Sequence, residues 1–125
     1  IRTYTAQNER NRRGGEAGKV PDGYKYIGDR CFLNNGKVHE VVLPEECRII
    51  GKQAFEKCRK LSSVTFKGKK APTIGKAAFK GIKKKTSVQV AGSMKKSQVK
   101  KLQNRMKTAA PSVKITYKKK ITVRF

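Results

Sequence analysis

The side chains able to carry covalent or metal chemistry are few: Cys31, Cys47 and Cys58, the single histidine His39, and the adjacent carboxylates Glu45 and Glu46. Thiolates and an imidazole could hold a zinc ion, but their spacing has none of the C-x-x-C pairing that structural zinc sites use. A nucleophilic centre needs a base beside the nucleophile and a group that orients the base. Neither His39, in a strand-like run, nor Glu45-Glu46, in a turn, completes that set, and no glycine-rich phosphate loop follows a strand. The expectation is a non-enzymatic chain with no catalytic residue, no metal site and no cofactor. Reduced thiols then serve as small apolar residues. A disulfide between two of the three stays open as an alternative, and the odd number leaves at least one thiol without an intramolecular partner.

The abundant functional groups are cationic. The 125 residues include 32 Lys+Arg against 8 Asp+Glu, a net charge of +24. All the acids precede Lys57, so the first 56 residues hold 10 bases and 8 acids while the last 69 hold 22 bases and no acid. Such a density costs stability through self-repulsion and creates a field that draws polyanions from solution. Runs such as Lys83-Lys84-Lys85 and Lys118-Lys119-Lys120 are commonly only solvating, yet 69 residues without an acid exceed what solubility requires. Salt-sensitive attraction is assigned to Lys69, Lys70, Lys83, Lys84, Lys85, Lys95, Lys96, Lys100 and Lys101. The partners this implies are anionic polysaccharides such as cell-wall polymers or sulfated host glycans, or acidic patches on proteins. Nucleic acid is the competing partner. Against it, Phe55, Phe66 and Phe79 recur at core periods and leave few platforms for base stacking, and no zinc-finger, homeodomain or RNA-recognition signature is present.

What must position these groups is a repeat. Ile27-Gly28-Asp29-Arg30-Cys31-Phe32 returns as Ile50-Gly51-Lys52-Gln53-Ala54-Phe55 and as Ile74-Gly75-Lys76-Ala77-Ala78-Phe79, at intervals of 23 and 24 residues. Each copy leads into a strand-like run, Val38 to Leu43, Leu61 to Phe66 and Thr86 to Val90. A period of this size lies in the range of leucine-rich solenoids. Strand alternation turns Val41, Leu43, Val64, Phe66, Val88 and Val90 inward. Glu40, Val42, Ser63, Thr65, Ser87 and Gln89 are left on the exposed sheet, where a partner would meet them. Phe32, Phe55 and Phe79 share the period and should stack as a ladder. Gly28, Gly51 and Gly75 suit a corner needing positive φ or close backbone approach.

The middle copy, Leu43-Pro44-x-x-Cys47-x-x-Ile50-Gly51-x-x-Ala54-Phe55-x-x-Cys58-x-x-Leu61-x-x-Val64-x-Phe66, resembles the repeat of the BspA-like leucine-rich repeat family. The third copy is degenerate, with Ala71 for Cys47 and Lys85 for Leu61. The resemblance implies an exported bacterial cell-surface or extracellular interaction module, some relatives of which are adhesins for host matrix proteins or other cells.

The expected fold class is an α+β repeat: a short solenoid with one short strand per repeat over residues 20–91 and a basic cap over 92–125. In the cap, residues 93–107 read as a helix with Ser93 as N-cap and Val99, Leu102 and Met106 as an apolar stripe. Residues 113–117 and 121–125 alternate like strands. Residues 1–19 are polar, glycine-containing and without period, and read as a linker or incompletely ordered arm. The chain starts at Ile1 rather than Met and has no apolar stretch long enough for a signal peptide or membrane span, which fits a processed form or a piece of a longer protein.

Overall fold

A computed structural model describes residues 2–120, so the strand expected at 121–125 lies outside the described residues. The chain winds as a parallel β-solenoid. One sheet is built from the two-residue strands β1 (Thr3–Tyr4), β2 (Tyr26–Ile27), β4 (Ile49–Ile50) and β6 (Thr73–Ile74), in the order β1-β2-β4-β6. The other joins β3 (Glu40–Leu43), β5 (Ser63–Phe66), β7 (Lys85–Val90) and β8 (Lys114–Lys119), in that order. Every pairing is parallel. The short first sheet is the addition to the expected one strand per turn. Its strands carry no period-2 signal in the sequence, because a residue pair ending in Ile27, Ile50 or Ile74 is too short to show an alternation.

The phrase repeats register directly. Ile27 pairs with Ile50 and Ile50 with Ile74, while Val41, Val64 and Val88 align across the larger sheet, as do Leu43, Phe66 and Val90. Between the sheets stands the aromatic ladder. Phe32 and Phe55 stack with centroids 4.8 Å apart and Phe55 and Phe79 at 5.0 Å, with planes within 11° and 9° of parallel. All three are buried. The backbone carries the same repeat, since the Phe32 amide donates to the Ala54 carbonyl and the Phe55 amide to Ala78, each at 2.7 Å.

The glycine corner is a matter of close approach. Gly51 and Gly75 do not have positive φ, but a Cβ on Gly75 would lie 2.5 Å from the Lys52 nitrogen, and one on Gly51 2.6 Å from the Asp29 nitrogen. Left-handed backbone falls instead on Arg30, Gln53 and Ala77, and again on Asn34, Lys57 and Gly81, the same two positions of three successive turns.

Residues 3–10, within the stretch read as an arm, are built into the solenoid. β1 pairs with β2, and the Tyr4 ring stacks 6.0 Å from Phe32, adding a rung to the ladder. The helix α1 (Ala6–Arg10) follows, opened by a capping box in which the Asn8 amide donates to the Thr5 hydroxyl and the Thr5 amide to Asn8 Oδ1. Glu9 is buried, accepting from the Tyr4 hydroxyl at 2.8 Å and from Arg12 Nε at 3.1 Å. A buried carboxylate with both partners in reach satisfies the demand that buried charge be paired. Polar composition hid this, because the segment's contribution to the core is essentially the single residue Tyr4.

At the other end, the helix α2 runs Lys96–Ala109, three residues later than expected at its start. Lys95 occupies the N-cap with no side-chain hydrogen bond. Ser93 is exposed, whereas Met94 is fully buried, its amide donating to Ala91 at 3.0 Å in a tight turn that holds the chain out of helical geometry. Leu102 and Met106 are buried and Val99 is half-buried, the expected stripe. The Phe79 amide donates to Ala109 O at 3.0 Å, so the end of α2 takes the place that another turn's backbone would fill. β8 then extends the larger sheet by one strand.

Candidate interaction surface

The outer face of the larger sheet is read across its strands. Glu40 aligns with Ser63, Ser87 and Thr116, and Val42 with Thr65, Gln89 and Lys118. Lys19 bridges to Val42, so a lysine stands at each end of the second row. Five of the six residues expected here are half-exposed, but Thr65 is buried, contrary to its assignment to the exposed surface. Gln89 explains it: its Oε1 accepts from Ser63 Oγ at 3.0 Å and from Thr65 Oγ1 at 3.1 Å, and its Nε2 donates to Ser87 Oγ at 2.9 Å. The amide lies across the neighbouring strand and covers the threonine.

The cations assigned from sequence are all exposed, but they do not form one patch. Lys69 and Lys70 follow β5, beside Glu45, Glu46, Arg48 and Ser93. Lys83 and Lys84 lead into β7 and Lys85 is its first residue, at the opposite end of the strands. The six residues of β7 separate those ends by about 20 Å at roughly 3.3 Å per residue. Lys95 and Lys96 sit at the start of α2, with Lys100 and Lys101 one turn on. Lys96 and Lys100 share a groove with Val90, Val99, Tyr117, Lys118 and Lys119. Burial pushes the Tyr117 hydroxyl up to about 12.

Sequence reasoning missed Lys114 and Lys118 as members of this surface. Lys114 stands directly opposite Lys85, and Lys118 opposite Gln89. The alternation of 113–117 placed Lys114 on an outer face, but nothing in it said which strand would lie alongside. Among the described residues, ion pairing does not extend beyond Lys67: Arg12–Glu9, Lys19–Glu16 and Lys67–Asp22 are within ion-pair distance, and no later cation is.

The candidate chemistry residues do not converge. Cys31, Cys47 and Cys58 are buried free thiols, His39 is exposed, and among the described residues no cluster of three His, Cys, Asp or Glu is placed to hold a metal ion. Burial pushes the thiols of Cys31 and Cys47 up to about 12 and that of Cys58 to about 11. Cys58 Sγ donates to Phe32 O at 3.0 Å, tying one turn to the next. Glu46 accepts from the Gly23 amide, again a contact between turns.

Parallel two-sheet turns, a repeat of 23 to 24 residues and a phenylalanine ladder define a leucine-rich-repeat type of solenoid. The family model for the BspA type leucine rich repeat region, in six copies, matches residues 16–122, and the chain belongs to that family. The match passes both ends of the stretch marked by the repeated phrase, consistent with β8 and the N-terminal turn stacking on the same solenoid. No curated protein and no solved structure gives a significant match. Among the described residues no helix is long and apolar enough to cross a membrane.

Proposed function

We propose that this chain is a non-enzymatic interaction module of the bacterial cell surface or extracellular space, which adheres to anionic polysaccharide through its basic C-terminal half. Family membership supports an interaction module built from repeats. The observation that carries the anionic partner is that the lysines beyond Lys67 are exposed and have no ion-pair partner among the described residues, so their charge faces solvent. Multivalent contact of this kind gives fast association and strong salt dependence, with selectivity left to the polar rows of the sheet. The test is binding to purified wall polymer, a sulfated glycan and duplex DNA in parallel across a salt series. Lys83→Glu/Lys84→Glu/Lys85→Glu should abolish preferential polysaccharide binding while the fold survives. Tighter binding to duplex DNA that persists near physiological salt would overturn the reading in favour of a nucleic-acid partner.

A further inference from the structure

The last two strands oppose like charges. Lys85 pairs with Lys114, Ser87 with Thr116 and Gln89 with Lys118. The alternation of β7 and β8 turns all six to the outer face, where Lys85, Lys114, Thr116 and Lys118 are exposed. Adjacent strands lie about 4.8 Å apart, and like charges directly opposed across a ladder are destabilising. Among the described residues no acid relieves this pair: no Asp or Glu follows Glu56, and the carboxylate in the neighbouring row, Glu40, is two strands from Ser87. The backbone locks the arrangement in place, because the Lys114 amide donates to Lys84 O at 2.7 Å and so draws Lys84 to the same rim. Beside the two ammonium groups stand two hydroxyls. Ser87 Oγ already accepts from Gln89 Nε2 at 2.9 Å, which leaves its hydrogen to donate elsewhere.

We infer that this face is a seat for a sulfated polysaccharide, deepening the reading of the chain as a polysaccharide-binding module and resting on it. Lys85 and Lys114 clamp one sulfate from two strands, and Ser87 and Thr116 bond the hydroxyls of the same sugar. The seat fits a sugar because it sets the hydroxyl donors only two residues along the strands from the charges, about 7 Å at roughly 3.3 Å per residue. It offers a single-stranded nucleic acid no aromatic platform for its bases, since none of Lys85, Ser87, Gln89, Lys114, Thr116 and Lys118 is aromatic. The bound sulfate removes the repulsion that the opposed lysines otherwise impose.

The experiment uses the full chain with heparin as the sulfated probe and inorganic polyphosphate as a polyanion without hydroxyls. Lys85→Ala/Lys114→Ala should raise or preserve the melting temperature without ligand and weaken heparin binding by about tenfold or more. Lys52→Ala/Lys76→Ala removes the same charge from exposed positions on the turn beyond the smaller sheet, and should weaken it by less than about threefold. Ser87→Ala/Thr116→Ala should reduce the preference for heparin over polyphosphate. Equal losses in the two lysine variants would overturn the seat and leave the broader polyanion reading standing. Equal binding of heparin and polyphosphate per charge would overturn the role of the hydroxyls. Failure to bind either probe at low salt would overturn both readings.

Discussion

Single residues in this fold act through contacts one turn away. Gly75 packs against the backbone of Lys52 and Gly51, so Gly75→Ala must displace main chain and should cost about 1–3 kcal/mol in urea unfolding. Gly36 has nothing within 4 Å of a prospective Cβ, and Gly36→Ala should stay within about 0.5 kcal/mol of the parent. The thiols make a second prediction. Their pKa values are raised in the folded state to about 12, 12 and 11 for Cys31, Cys47 and Cys58, against about 8.5 in an unfolded chain. Below pH 8 both states hold the proton and stability is unaffected. As pH rises above about 9 only the unfolded chain releases it, so each thiol should subtract up to about 1.4 kcal/mol per pH unit until its folded pKa is reached. Denaturant titrations from pH 7 to pH 10 on the parent and on Cys58→Ala should give a shallower decline in the variant. Equal slopes would contradict the assignment.

At the scale of elements, α2 is docked by an apolar stripe and a polar staple. Leu102 is fully buried, and Leu102→Ala should cost about 2–5 kcal/mol. Arg105 Nη1 donates to Ala71 O at 2.9 Å and to Pro72 O at 3.0 Å, and the Ala71 amide donates to Gln98 Oε1 at 3.0 Å. Arg105→Ala should therefore cost about 1–3 kcal/mol, and hydrogen exchange should show faster opening in α2 and near Ala71 than in β3 and β5. The stripe was legible because Val99, Leu102 and Met106 keep helical spacing. The staple was not, since nothing about Arg105 as a residue marks it among the neighbouring lysines. The helix start was misplaced for a comparable reason: Ser93 is a good cap by type, but the burial of Met94 takes precedence.

For the whole molecule, stacking and charge pull in opposite directions. Each turn buries a face that it could not bury alone, so stability grows with the number of turns and depends on covered ends. Cutting the chain after Ala91 removes α2 and β8 and uncovers Phe79 and Val88, both fully buried in the intact protein. The shortened chain should aggregate or unfold, as judged by sedimentation and circular dichroism. The net charge of +24 acts against compactness, so moderate sodium chloride should raise the melting temperature while it weakens polyanion binding. Opposite signs for the same salt titration would separate self-repulsion from recognition.

The recurring Ile-Gly and Phe positions, the inward and outward sides of β3, β5 and β7, and the segregation of acid from base are all written in local order. Side chains alternate along a strand, and a solenoid repeats what one turn does, so periodicity alone reveals them. Other features arise from contacts between segments with no shared period. Tyr4 reaches the ladder from a stretch that carries no repeat, and Lys114 faces Lys85 only because β8 adopts one particular register. A one-residue slip of that strand would turn every side chain to the other face. The alternation within residues 114–119 decides which face of β8 turns inward, but which strand lies alongside it is decided only where Val113, Ile115 and Tyr117 pack against the core.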